Sequence, residues 1–135
     1  SAIAFGRKTK IPDLGTKKVL SAAAGGLRTV LVLDDGSAKA FGGNSCGQTN
    51  IPDLGTKKVL SAAAGSHTVL VLDDGSAIAF GSNGDGQTSI PGLGTKKVLS
   101  AAAGSDHTVL VLDDGSIAPR GGFHTVLVLI CHSFR

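Results

Sequence analysis

The sequence predicts an all-β molecule: tandem antiparallel blades of an incomplete β-propeller, about three blades in all. Three observations predict it. The string IPDLGTKKVLSAAAG at 11–25 returns at 51–65 and, as IPGLGTKKVLSAAAG, at 90–104. Each copy then carries two short apolar runs joined by an Asp-Gly turn. A unit this short cannot shelter its apolar faces alone, so copies must stack, and radial stacking of small antiparallel sheets makes a propeller.

The period sets the expected organisation. Ile11 to Ile51 is a step of 40 residues and Ile51 to Ile90 a step of 39, the missing residue falling where GGLRT (25–29) becomes GSHT (65–68). The predicted units are a partial blade at 1–10, repeat 1 at 11–50, repeat 2 at 51–89, a truncated repeat 3 at 90–119 and an irregular partial repeat at 120–135. Propellers close with 4 to 8 blades, so the ring is expected to close by oligomerisation or within a larger complex.

Each element has a local reason. The TVLVL runs at 29–33, 68–72 and 108–112 are β-branched and apolar, and DDGS follows each. Asp-Gly between two such runs predicts a hairpin, because glycine tolerates the positive φ of a tight reversal. AKAF (38–41) and AIAF (77–80) supply the returning strand. TKKVLSAAAG is ambiguous: alanine, leucine and lysine favour helix, but the segment is short and has no i, i+3, i+4, i+7 stripe. Small residues also suit a strand crowded between neighbours, which favours strand. GSNGDGQ (81–87) has neither dinucleotide-loop spacing nor a P-loop lysine, so a tight interblade loop is expected. GGFHTVLVL (121–129) repeats the His-Thr strand with no first strand ahead of it, so the last blade is expected to be irregular.

These residues resemble the repeat of the regulator of chromosome condensation family. Its units run through a Gly-x-x-His-Thr step, an Asp-Gly turn, an aromatic-Gly ending and an Asn-x-x-Gly-Gln loop. The matching residues are Gly104 to Thr108 with His107, then Asp114-Gly115, and in the preceding unit Phe80-Gly81, Asn83, Gly86 and Gln87. Gly65, His67, Asp74 and Gly75 are the equivalents in the second unit. The chain departs from the pattern at Arg28, where histidine is expected, and after Gly115. The resemblance implies propeller blades whose motif residues are structural, and it brings guanine-nucleotide exchange into view. Exchange resembles a property of inserted loops on a full ring, for which units of this length leave little room.

Composition excludes more than it selects. The 135 residues contain no Met, Trp or Tyr, 20 glycines and five phenylalanines, so Ala, Val and Leu must fill the core. The formal charge of +3 is mildly basic, but Lys and Arg are not massed into one tract, so no specific nucleic-acid partner is expected. The longest apolar run, Val126 to Cys131, falls far short of the roughly 18–20 residues of a spanning helix. Mean hydropathy is nevertheless +0.24, and the apolar TVLVLICHSF ending has nothing beyond it to pair with, as fits a subunit or linker of a larger, membrane-associated assembly. The chain opens at Ser1 without a signal-like segment, which predicts a mature fragment or a piece of something longer. Cys46 and Cys131 match no metal or redox spacing and are expected as free thiols.

No enzyme is expected. His67, His107 and His124 sit at equivalent repeat positions, a blade width apart, too far for a shared metal. Backbone hydrogen bonds are the expected use of each imidazole. Ser105, Asp106 and His107 are chain neighbours that point to opposite sides of an extended backbone, which a catalytic triad does not permit. No cofactor motif occurs. The paired charges remain: Lys17-Lys18, Lys57-Lys58 and Lys96-Lys97, with Asp34-Asp35, Asp73-Asp74 and Asp113-Asp114. Repetition would array each pair as an arc facing a partner, although solvated turn formers would look the same. The function expected is a non-catalytic protein-interaction or scaffold module whose partner is a protein or further subunits.

Overall fold

The structure, a computed structural model, describes Ile3, Phe5, residues 11–26, 28–42, 49–81, 90, 92–104 and 107–113, and the backbone of 126–131. Nine strands form three antiparallel sheets, with no helix among the described residues. Sheet 1 holds β1 (Val19–Gly25), β2 (Arg28–Leu33) and β3 (Ala38–Gly42). Sheet 2 holds β4 (Val59–Ala64), β5 (His67–Leu72) and β6 (Ala77–Gly81); sheet 3 holds β7 (Lys97–Ala103), β8 (Thr108–Asp113) and β9 (Val126–Cys131). The alanine-rich segments that composition left open to helix are strands.

Within each sheet the strands lie in chain order, with the TVLVL strand in the centre. Sheet 3 differs in its third strand. It comes from 126–131, so the last copy of the valine-leucine run occupies the slot that Ala38–Gly42 and Ala77–Gly81 fill in the other two sheets.

The sheets stack face to face, and the central strands show why their sequence is apolar on both sides. Successive strand residues point to opposite faces. In β5, Val69 and Val71 face sheet 3, where they meet Val98, Leu110 and Leu112, while Leu70 and Leu72 face sheet 1, where they meet Val30 and Val32. All six residues of β5 are buried. An alternating polar face would leave a seam unfilled, so the run must be continuous.

The seams are wedges. The first strands β1, β4 and β7 of successive sheets lie against one another, whereas the third strands β3 and β6 make at most marginal contact. Crowding at the narrow side explains the alanines and a glycine at each strand end. A Cβ on Gly25 would strike the carbonyl of Ala64, and one on Gly65 the carbonyl of Gly104.

Candidate functional site

Among the described residues no group of three His, Cys, Asp or Glu could hold a metal ion, and no helix is long and apolar enough to cross a membrane. What the repeats do assemble is a seam of hydrogen bonds within the stack and a rim of turns at one end of it.

The seam is built on the His-Thr step. His67 is fully buried and its Nε2 lies 2.5 Å from Thr108 Oγ1 of the next sheet. The imidazole thus reaches across the blades rather than to local backbone. Arg28, which stands at the same position in sheet 1, makes the same crossing: Nε donates to Thr68 Oγ1 at 3.2 Å, and Nη2 donates to the carbonyl oxygens of His67, at 2.7 Å, and of Gly65. Burial lowers the Arg28 pKa. Burial is also the main reason that His67 is lowered to about 4, with the positive charge of Arg28 adding to it. His67 is therefore neutral in the fold near pH 7. Its Nδ1 has no hydrogen-bond partner, so the cheaper tautomer carries the proton on Nε2, which donates to Thr108 and leaves only a bare lone pair desolvated. His107, next in the series, is exposed, and its ring lies against Gly104.

The rim is built on the DDGS turns. Gly36 N donates to Leu33 O at 3.0 Å and Leu33 N to Ser37 O at 2.9 Å; Gly75 and Leu72 repeat this at 3.1 and 2.9 Å. This is a three-residue hairpin loop closed by a glycine with positive φ, 84° at Gly36 and 86° at Gly75. Asp74 Oδ1 accepts from Ser76 N at 3.0 Å and Ser76 Oγ at 2.6 Å, as Asp35 does from Ser37. Those bonds, more than the lysine beside it, hold the Asp74 carboxyl down to about 2, and hold Asp35 well below the usual carboxylate range.

The charges expected to form arcs are brought together in the first two units. Lys17 pairs with Asp35 and Lys57 with Asp74, each at 3.0 Å. Asp34 Oδ1 accepts from the backbone of Lys18 and Asp73 Oδ1 from that of Lys58, both at 3.1 Å. The turns also staple the seams: Val59 N donates to Gly36 O and Val98 N to Gly75 O, both at 2.8 Å. Lys96 lines a shallow cleft of about 370 Å³ with Asp74, Ser76, Ala77 and Leu93, and Lys97 lies in β7 opposite Asp113. Of the other motif residues, Phe80 packs in the seam between sheets 1 and 2, and Gly81 ends β6 with a φ of 110°. Asn83, Gly86, Gln87, Cys46, Ser105, Asp106, Asp114, Gly115 and His124 lie outside the described residues.

One feature escaped the sequence reading. Leu20, Leu60 and Leu99 are 67%, 60% and 49% exposed. They hold the same place in β1, β4 and β7, and in each sheet the register slips there, between Val19 and Ser21, Val59 and Ser61, and Val98 and Ser100. Each leucine is the extra residue of a β-bulge, which releases it from the ladder. The signal was the VL step that opens each alanine-rich strand. Its register is invisible without the partner strand.

The wedge stacking of three-stranded antiparallel sheets, narrow at the first strands, decides the architecture. The chain is built from β-propeller blades. Solved structures agree: human WBSCR16 matches with a TM-score of 0.68 at 18% identity over 78% of this chain and 35% of its own. The CRINKLY WD40 ectodomain of the Arabidopsis thaliana receptor kinase ACR4 matches at 0.58, with 18% identity over 91% of this chain and 44% of its own. The structure of Kap60 bound to yeast RCC1 (Prp20) matches at 0.57, with 17% identity over 73% of this chain and 29% of its own. The chain thus spans less than half the length of these structures. No family model matches it, and no curated protein matches it by sequence.

Proposed function

We propose that this chain is a non-catalytic protein-interaction or scaffold module built from propeller repeats of the chromosome-condensation-regulator type, with a partial blade at 1–10, units at 11–50 and 51–89, a truncated unit at 90–119 and an irregular partial repeat at 120–135. The observation that carries the reading is the row of bulged leucines. Leu20, Leu60 and Leu99 stand on adjacent first strands and remain exposed, whereas Leu31, Leu33, Leu70, Leu72, Leu110 and Leu112 of the central strands are buried. Single exposed apolar residues are ordinary, but a repeated row is the mark of a contact surface. The neighbouring Lys-Asp pairs supply a polar rim, as interaction patches have. Support of a general kind comes from the structure in which yeast RCC1 is bound to Kap60. Guanine-nucleotide exchange is the weaker reading, because successive units differ by one residue and carry no inserted loop.

The test uses two surface substitutions. Protein retained on immobilised wild-type chain should be lost with Leu20→Asp and Leu60→Asp, while the far-UV circular dichroism of both variants stays unchanged. Equal retention by wild type and variants would remove the row from consideration, and failure of the wild type to retain any protein above background would remove the reading.

A further inference from the structure

The loop that leads into each first strand is built three times, and one copy lacks a group that the other two have. Gly15, Gly55 and Gly94 hold the same left-handed turn, with φ of 63°, 64° and 65°. The backbone bond across the turn is the same too: Lys17 N donates to Leu14 O, Lys57 N to Leu54 O and Lys96 N to Leu93 O, each at 3.2 Å. In the first two loops the glycine N–H is capped from within. Gly15 N donates to Asp13 Oδ1 and Gly55 N to Asp53 Oδ1, both at 2.9 Å. The third loop has Gly92 where those aspartates stand. Its backbone keeps the turn without the carboxylate, and among the described residues nothing accepts from Gly94 N.

The vacant place opens on a cleft. Gly94 and Lys96 line a hollow of about 370 Å³ together with Ile90, Leu93 and, from the turn of sheet 2, Asp74 and Ala77. A backbone N–H and an ammonium group beside an apolar floor complement a carboxylate carried on an aliphatic group. Asp74 spends its charge locally, since it accepts twice from Ser76 and pairs with Lys57 at 3.0 Å. Lys17 and Lys57 each pair with the second aspartate of their own turn. In the third unit that residue is Asp114, outside the described residues. Exposed pairs of this kind contribute little to stability, so Lys96 turns to an incoming anion at small cost.

We propose that this cleft binds the C-terminal carboxylate of a polypeptide that ends in an aliphatic residue. One oxygen takes the place that Asp53 Oδ1 holds in the second unit and accepts from Gly94 N. The other accepts from Lys96 Nζ, and the aliphatic side chain lies on Ile90, Leu93 and Ala77. A terminal residue carries its carboxylate and its apolar side chain on one carbon. An internal Asp or Glu would instead bring polar backbone onto the apolar floor, where each unpaired amide costs free energy. The volume suits one end of a chain, at the small limit of ligand pockets of about 300–1,000 Å³. The site is separate from the leucine row, and neither depends on the other.

An amide NMR titration of the full chain with three probes tests it. N-acetyl-leucine carries the terminal carboxylate, N-acetyl-leucinamide lacks it, and the α-amide of N-acetyl-glutamic acid has its carboxylate on the side chain. The expected result is a saturable shift of the Gly94 amide with N-acetyl-leucine, none with the leucinamide and weaker binding of the glutamate probe. Lys96→Gln should weaken N-acetyl-leucine about tenfold, the loss of one charge-assisted hydrogen bond. Gly92→Asp should abolish binding, and in the free protein should move the Gly94 amide resonance toward those of Gly15 and Gly55. Gly92→Ala, whose Cβ enters open space, should bind as wild type. No saturable shift at Gly94, equal binding of the leucinamide, or undiminished binding by Gly92→Asp overturns the proposal. Equal loss in Gly92→Ala and Gly92→Asp makes the effect steric and overturns it as well. Equal binding of the glutamate probe gives the cleft to side-chain carboxylates and overturns the terminal assignment.

Discussion

His67 and Arg28 perform one task with different chemistry, and the difference is measurable. Both reach a threonine of the next sheet, but only the imidazole can lose its charge near neutral pH. His67 titrates near 6.5 when unfolded and near 4 in the fold. Between those values the unfolded chain takes up a proton that the folded chain refuses. Its contribution is therefore complete above pH 6.5 and is lost as pH falls toward 4. Urea melts at pH 7 and pH 4.5 should differ by on the order of 2 kcal/mol from this residue, and His67→Gln, which cannot titrate, should remove that part of the slope. Glycines give a second test at this scale. Gly55 has a φ of 64° and open space around it, whereas a Cβ on Gly65 would strike the Gly104 carbonyl. Gly55→Ala should cost about 1 kcal/mol for its backbone conformation alone. Gly65→Ala should cost about 3 kcal/mol or more, because the seam itself must open.

The DDGS turn couples a hairpin to its neighbour. In the first two units the first aspartate of the pair, Asp34 or Asp73, binds the lysine backbone that leads into its own sheet, the second, Asp35 or Asp74, binds the serine that closes the loop, and the glycine carbonyl accepts from the first strand of the next sheet. The ion pairs on this rim are exposed and contribute little to stability. Its acid behaviour comes from the serine bonds. Because Asp74 ionises at about 2 in the fold and near 3.8 otherwise, its stabilising effect is present above pH 3.8 and disappears as pH falls through 2. Thermal scans should show Asp74→Ala less stable than wild type at pH 5, with the gap closing near pH 2. Raising salt should change either protein little. The central strands are more sensitive: Leu70→Ala empties a seam and should cost about 2–5 kcal/mol.

Across the molecule, stability is shared between sheets rather than stored within them. Sheet 2 buries every residue of its central strand only because sheets 1 and 3 cover it. The segment 51–89 produced alone should therefore show no stable sheet by circular dichroism, while the three-sheet chain should melt in one cooperative transition. A folded isolated unit would mean that the seams are incidental. The bulged leucines belong to this scale too, since each is defined only by its relation to the other blades.

Local chemistry determined the repeat, the hairpins and the all-β class: an Asp-Gly reversal between valine-rich runs has one economical solution, and forty-residue copies that cannot bury themselves must stack. The alanine-rich segment was harder to read, since its composition suits a helix and only close packing of first strands makes small side chains an advantage. Tertiary structure alone decided that Arg28 replaces an imidazole by reaching the same threonine, that Lys17 and Lys57 spend their charge on Asp35 and Asp74, and that three leucines are pushed out by bulges. These facts depend on registers and distances between residues about forty positions apart. No local pattern encodes such a distance; it emerges when one sheet is laid against the next.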